Sequence, residues 1–218
     1  MDKNNNFSIF HDYQFLSKER IEKIAEEILL EYNLPFPIDP TFLAEKLGLD
    51  TDIIKIDSDS EKPIVAMLMP LENKIIINEN HTNYNTSKGF EESSIAHEIG
   101  HWELHINHKN LSQYQERKKR GLKIPQFPSL HRVFNDKNLN QIEWQAQYFA
   151  SCLLMPKFQL KKCLQYRDIN NWKHLYAIAD ELGVTISNLT NRLEDLELIY
   201  IPKNSQQIYY GKKKITEI

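Results

Sequence analysis

Ser94-Ile95-Ala96-His97-Glu98-Ile99-Gly100-His101-Trp102-Glu103-Leu104 is the stretch on which the reading of this chain turns. It reads as helix on both sides of the histidines. Two histidines four residues apart lie one above the other on a helix face. Both rings can then reach one zinc ion at about 2.0–2.1 Å. Glu98 projects from the adjoining angle, where a carboxylate can take a proton from water that the metal activates. Two ligands and a general base from one turn of helix is the HExxH pattern. The competing reading is two unrelated histidines on a solvated helix.

Two histidines do not close a catalytic zinc site, which typically has three protein ligands. His105 lies eight residues from His97, about 12 Å along an unbroken helix. It cannot share a metal with both histidines, and it reads as an outer group, a rim residue or an exposed one. The HExxHxxGxxH pattern needs a glycine at 104 and a histidine at 107; the chain has Leu104 and Asn107. Glu143, 42 residues after His101 on a second expected helix, is the better candidate. From spacing alone an exposed helix glutamate is the ordinary alternative. Gln147, one turn further, can hydrogen-bond a ligand.

Around these helices the chain divides by pattern. Ser17 caps a helix carrying Ile21, Ile24, Ala25, Ile28 and Leu29, which ends before Pro35-Phe36-Pro37. Asp39-Pro40 starts a short helix closed by Gly48. Residues 52–57, 63–69 and 74–78 read as three strands of a mostly antiparallel sheet, with Glu72-Asn73 at a turn. Residues 107–138 show little periodicity and read as a long connection. Helices follow over 139–154, 157–166, 172–182 and 187–196, then two short strands near 198–201 and 207–210. Residues 1–16 read as a flexible tail.

Composition narrows the class. The 218 residues are 41% hydrophobic and 26% charged, with net charge −3. That argues against disorder and against a dedicated nucleic-acid binder. No apolar run is long enough to span a membrane, and the polar N-terminus leads to no signal core. The expectation is a soluble, cytoplasmic protein. Cys152 and Cys163 fit neither a disulfide framework nor a metal pair and read as reduced thiols.

Four stretches resemble the ImmA/IrrE family of zinc metallo-endopeptidases. Residues 20–57 resemble its opening helix, Pro-Ile-Asp turn, short helix ending in Leu-Gly, and first strand. Lys74-Ile75-Ile76-Ile77-Asn78 resembles the strand before the active site. Residues 94–101 resemble the Ala-His-Glu-apolar-Gly-His core. Residues 143–156, with Glu-x-x-Ala, Phe-Ala and Leu-Leu-Met-Pro, resemble its second motif. The likeness covers most of residues 17–200. Where the family often has Arg-Phe-Thr this chain has Glu92-Ser93-Ser94, and Gln147 stands where Asn or Asp is usual.

The resemblance implies one zinc ion per chain, held by His97, His101 and Glu143, with Glu98 as general base. It implies an α+β fold: a zincin-like core over 17–156 with a small three-stranded antiparallel sheet, then a helical, winged-helix-like part over 157–218. It implies a protein substrate, a helix–turn–helix transcriptional repressor, whose cleavage releases mobile-element or stress-response genes. Tyr148, His105 and His131 are candidates for stabilising the oxyanion.

Three features carry less weight. The basic run 117–123 reads as a solvated loop. Trp144 and its aromatic neighbours read as core. The helix pair 172–182 and 187–196 resembles a winged helix–turn–helix, but Glu194, Asp195 and Glu197 would repel phosphate. It reads as a packing or protein-recognition part, and direct nucleic-acid or membrane binding is not expected. The rival function is a regulatory or DNA-binding protein with a structural or vestigial metal site.

Overall fold

A computed structural model describes residues 8–12, 14–56, 65–81, 88–125 and 136–211. Eight α-helices and two small sheets are seen among them, an α+β architecture. Helix α1 (Lys18–Glu31) starts at Ser17, whose Oγ accepts from the Arg20 amide at 3.3 Å. Helix α2 (Pro40–Lys46) starts at Asp39, which accepts from the Thr41 and Phe42 amides. Each cap satisfies amides that the first helical turn leaves without partners.

Strands β1 (Asp50–Ile54), β2 (Ala66–Met69) and β3 (Lys74–Asn78) form a sheet of order β1-β3-β2. The expected antiparallel sheet is in fact mixed: β2 pairs antiparallel with β3, and β1 pairs parallel. The hairpin between β2 and β3 turns through Asn73 in the left-handed conformation, φ +49°. The end of β1 and the start of β2 both lie at the Asn78 end of β3, on opposite sides of it. Strand β3 is therefore inserted between two strands that precede it in sequence. Its Ile75, Ile76 and Ile77 are all buried, as a central strand covered on both faces requires.

Helix α3 (Lys88–His105) and helix α5 (Asp136–Leu154) form the largest contact between elements, with α1 packed beside α5. Between α3 and α5 in sequence, residues 108–119 form helix α4 rather than open connection. Asn107 caps it, and Gln115 hydrogen-bonds Asn73 and the Pro70 carbonyl at the β2–β3 turn. Part of the basic run is thus helical, with Lys118 paired to Glu72 at 2.9 Å.

Helices α6 (Lys157–Leu164), α7 (Trp172–Leu182) and α8 (Ile186–Asp195) follow, then strands β4 (Ile199–Tyr200) and β5 (Tyr209–Tyr210), paired antiparallel. The α7–α8 turn packs on the start of α3. A Cβ on Gly89 would lie 2.7 Å from the Val184 carbonyl carbon, so only glycine admits that approach. Residues 8–12, expected within a tail, lie against the end of α3. Phe10 bridges Ile106, His11 N–H donates to the His105 carbonyl, and Ile9 and Phe10 are buried. Cys152 and Cys163 are free and buried.

Candidate metal centre

The position of the centre follows from one close helix contact. Gly100 of α3 faces Ala146 of α5; a Cβ on Gly100 would lie 2.9 Å from the Ala146 carbonyl oxygen. Two small residues let the helices approach closely, on the face where each presents polar side chains. His97 and His101 project from α3 one turn apart, and Glu143 from α5. His97 Nε2 is 3.1 Å from Glu143 Oε2, His101 Nε2 is 3.5 Å from Glu143 Oε1, and the two Nε2 atoms are 3.0 Å apart. One donor atom from each of the three lies within 4.8 Å of the others, a group that can hold a metal ion. All three residues expected to be ligands are thus brought together.

Charge at the centre is set by competition. Burial pushes the Glu143 carboxyl up, but hydrogen bonds and charge from His101 and His97 outweigh it and hold it well below its ordinary value. Burial also works against protonating His97. The hydrogen bond to Glu143, the Glu98 and Glu143 charges and a hydrogen bond to Gln147 prevail and raise it. Gln147 therefore sits where it was expected, beside a ligand. Glu98 is half-buried on α3, close enough for its charge to act on His97.

His105 is neither rim nor exposed. It is 7% exposed, with Nδ1 at 3.0 Å from His101 Nδ1 and Nε2 at 3.2 Å from Gln145 Oε1. Burial, and then the neighbouring His101, depress it to about 3, so it is neutral. Gln145, which no motif in the sequence marks, is fully buried, and its Nε2 donates to the Gln14 carbonyl at 3.1 Å. The only sequence signal for it was a polar residue on the apolar face of α5.

Of the oxyanion candidates, Tyr148 is buried and its hydroxyl donates to Glu22 at 2.9 Å. His105 is engaged as above, and His131 lies outside the described residues. Beside the centre is a cavity of about 440 Å³ between α5 and α8, lined by Ser93, Trp144, Gln147, Asn191 and Glu194 among others. Trp144 is 36% exposed at its edge, not core; it stacks on Tyr148 at 5.5 Å and on Phe15 at 6.5 Å. The arrangement pairs a cation site with a half-buried carboxylate and an adjoining aromatic-walled cavity, a layout able to activate water beside a bound chain.

Comparison with known proteins agrees with this geometry. The family model of the IrrE N-terminal-like domain, Peptidase_M78, matches residues 72–194, more than half of the 218 residues. That span contains His97, Glu98, His101 and Glu143. No curated protein matches the chain significantly. Among solved structures, a Mycobacterium tuberculosis transcriptional regulator aligns with TM-score 0.52 and 13% identity, over 81% of this chain and 46% of that one. The likeness is one of fold, and the chain spans less than half the length of that relative.

Proposed function

The chain belongs to the IrrE N-terminal-like (Peptidase_M78) family, and on that premise we propose that it is a zinc-dependent endopeptidase acting on a helix–turn–helix repressor. The observation that carries this reading is the convergence of His97, His101 and Glu143 with Glu98 on the same helical turn. The donor set fits zinc: two imidazole nitrogens and one carboxylate are a catalytic-site combination that leaves a position open. The cage also presents a carboxylate met by imidazoles, which exchange a proton for a metal readily.

His97, His101 and Glu143 hold the ion in this reading. Zinc bound there supplies Lewis acidity toward a peptide carbonyl and toward water. Glu98 takes the proton of the attacking water and passes it to the leaving amine. Gln147 orients His97 by hydrogen bonding. The cavity between α5 and α8 receives substrate side chains next to the cleaved bond, with Trp144 as its apolar wall. No described helix is long and apolar enough to cross a membrane. A repressor substrate places the enzyme in the cytoplasm and its output in mobile-element or stress-response genes.

The test is to incubate the zinc-loaded protein with purified helix–turn–helix repressors from the same genome and follow fragments over time by mass spectrometry. Glu98→Gln is expected to keep one zinc per chain and slow cleavage about 10²–10⁴-fold. Cleavage at the parent rate by that variant sinks the mechanism. Stable binding of the repressor without fragments points to sequestration instead.

A further inference from the structure

Behind the metal centre, α3 and α5 are joined by hydrogen bonds whose direction can be worked out. The chain starts at an unambiguous acceptor. The Gln14 main-chain oxygen lies 3.1 Å from Gln145 Nε2. A carbonyl only accepts, so the Gln145 amide turns its NH₂ toward it. Gln145 Oε1 then faces His105 Nε2 at 3.2 Å. An amide oxygen also only accepts, so His105 Nε2 carries a proton. A ring with one proton leaves its other nitrogen bare. That nitrogen, His105 Nδ1, faces His101 Nδ1 at 3.0 Å. One of the two must donate, so His101 carries its proton on Nδ1. In the neutral ring, the form that can bind a cation, His101 Nε2, facing His97 and Glu143, is therefore the nitrogen with the lone pair.

We propose that Gln145 and His105 are positioning residues that order the protons along this chain and hold His101 in the tautomer whose Nε2 can bind a cation. The inference rests on the metal-centre reading above. The three side chains have little contact with solvent: Gln145 is 0%, His101 3% and His105 7% exposed. The links are coupled, so reversing one reverses the rest. Were His105 to carry a proton on Nδ1, His101 Nδ1 would have to accept. The His101 proton would then sit on Nε2, where the ion belongs. Because the chain starts at Gln14, ahead of α1 in the sequence, the N-terminal segment takes part in setting a metal ligand. A buried outer partner of this kind is worth about 10–100-fold in metal affinity.

Two measurements test it. Imidazole ¹⁵N spectra of the metal-free protein at neutral pH read the tautomer, and competition with a chromophoric chelator reads zinc affinity. The parent is expected to show His101 protonated on Nδ1 and bare on Nε2. In Gln145→Leu the second His101 tautomer is expected to appear. His105→Leu is expected to lose about 10–100-fold in zinc affinity. His105→Gln, whose amide offers an acceptor and a donor as the ring does, is expected to recover most of it. A parent His101 protonated on Nε2 overturns the proposal, as does His105→Leu binding zinc as tightly as the parent. Should His105→Leu not fold by circular dichroism, an unchanged His101 tautomer in Gln145→Leu overturns it. A parent that binds no zinc yet shows the Nδ1 proton on His101 defeats the peptidase reading and leaves the proton order standing.

Discussion

Helix α5 takes part in two charged clusters, one half-buried and one buried, and they are built on opposite plans. At Glu143 the carboxylate meets His97 and His101. Five residues on, Tyr148 joins a cluster around Glu22 of α1. There the carboxylate accepts from the Tyr148 hydroxyl and pairs with Lys157 and with the buried Arg192 of α8. Arg192 also donates from Nε to the Met155 carbonyl at 3.2 Å and lies over the Tyr148 ring at 5.4 Å. Glu22 is neutralised by permanent cations of the chain itself. Glu143 is neutralised by imidazoles, whose charge is conditional. The Glu22 cluster ties α1, α5, α6 and α8 together through the chain's own cations, with two Arg192 nitrogens buried and without a hydrogen-bond partner among the described residues. The Glu143 cluster can exchange its protons for a metal ion.

The sharpest way to break this contrast is Glu143→Ala. It removes a proposed ligand, so zinc per chain by elemental analysis is expected to fall from one toward none. The loss of affinity should exceed the about 100-fold that an outer partner is worth. Unaltered stoichiometry rejects Glu143 as a ligand. The mirror experiment is Arg192→Ala, which takes from Glu22 its buried cation and leaves the half-exposed Lys157 and the Tyr148 hydroxyl. It is expected to cost about 3–5 kcal/mol in urea unfolding, with zinc per folded chain unchanged. Loss of zinc without loss of stability would show that the two clusters are not separate devices.

Gly100→Ala probes what joins the helices at the metal centre. The added methyl meets the Ala146 backbone at 2.9 Å. Overpacking of this kind costs about 1–3 kcal/mol, and the displaced Glu143 should weaken zinc binding as well. An unchanged melting temperature would mean the helices are less tightly apposed than described.

The smallest effect expected is in the pH profile. Burial pushes Glu22 up, but Lys157, Tyr148 and Arg192 outweigh it and hold it below its ordinary 4.5. A carboxyl depressed in the folded state adds stability above its unfolded value and loses it as pH falls through the folded one. Metal-free protein is therefore expected to lose this contribution below about pH 4.5, and Glu22→Gln to flatten that limb of the thermal-stability profile. An identical acid limb in the variant would remove Glu22 from the account.

What was legible in the sequence was what neighbours along the chain decide. Ser17, Asp39 and Gly48 mark helix ends by their own chemistry, and the structure has each at a helix terminus. Two histidines four apart share a helix face in any helix. The pairing of β1 with β3 was not legible. Strand pattern shows which residues are buried, and the order of strands depends on a crossover whose residues carry no pairing signal. Helix α4 escaped because it buries only Leu111 and Tyr114, too few for a periodic stripe. Trp144 was misread because a large aromatic on an amphipathic helix is core by default, and α8 stands far enough away here to leave a cavity beside it.

The sequence by itself determined that His97 and His101 share a helix face with Glu98 on the same turn, and the helices that carry them, because those relations lie within one turn of backbone. Only the tertiary structure decided that Glu143 reaches the same point, through Gly100 against Ala146. It alone decided that His105 turns inward to Gln145 and Gln14. Such contacts join residues about 40 to 130 positions apart, and their geometry is set by how closely two helices pack.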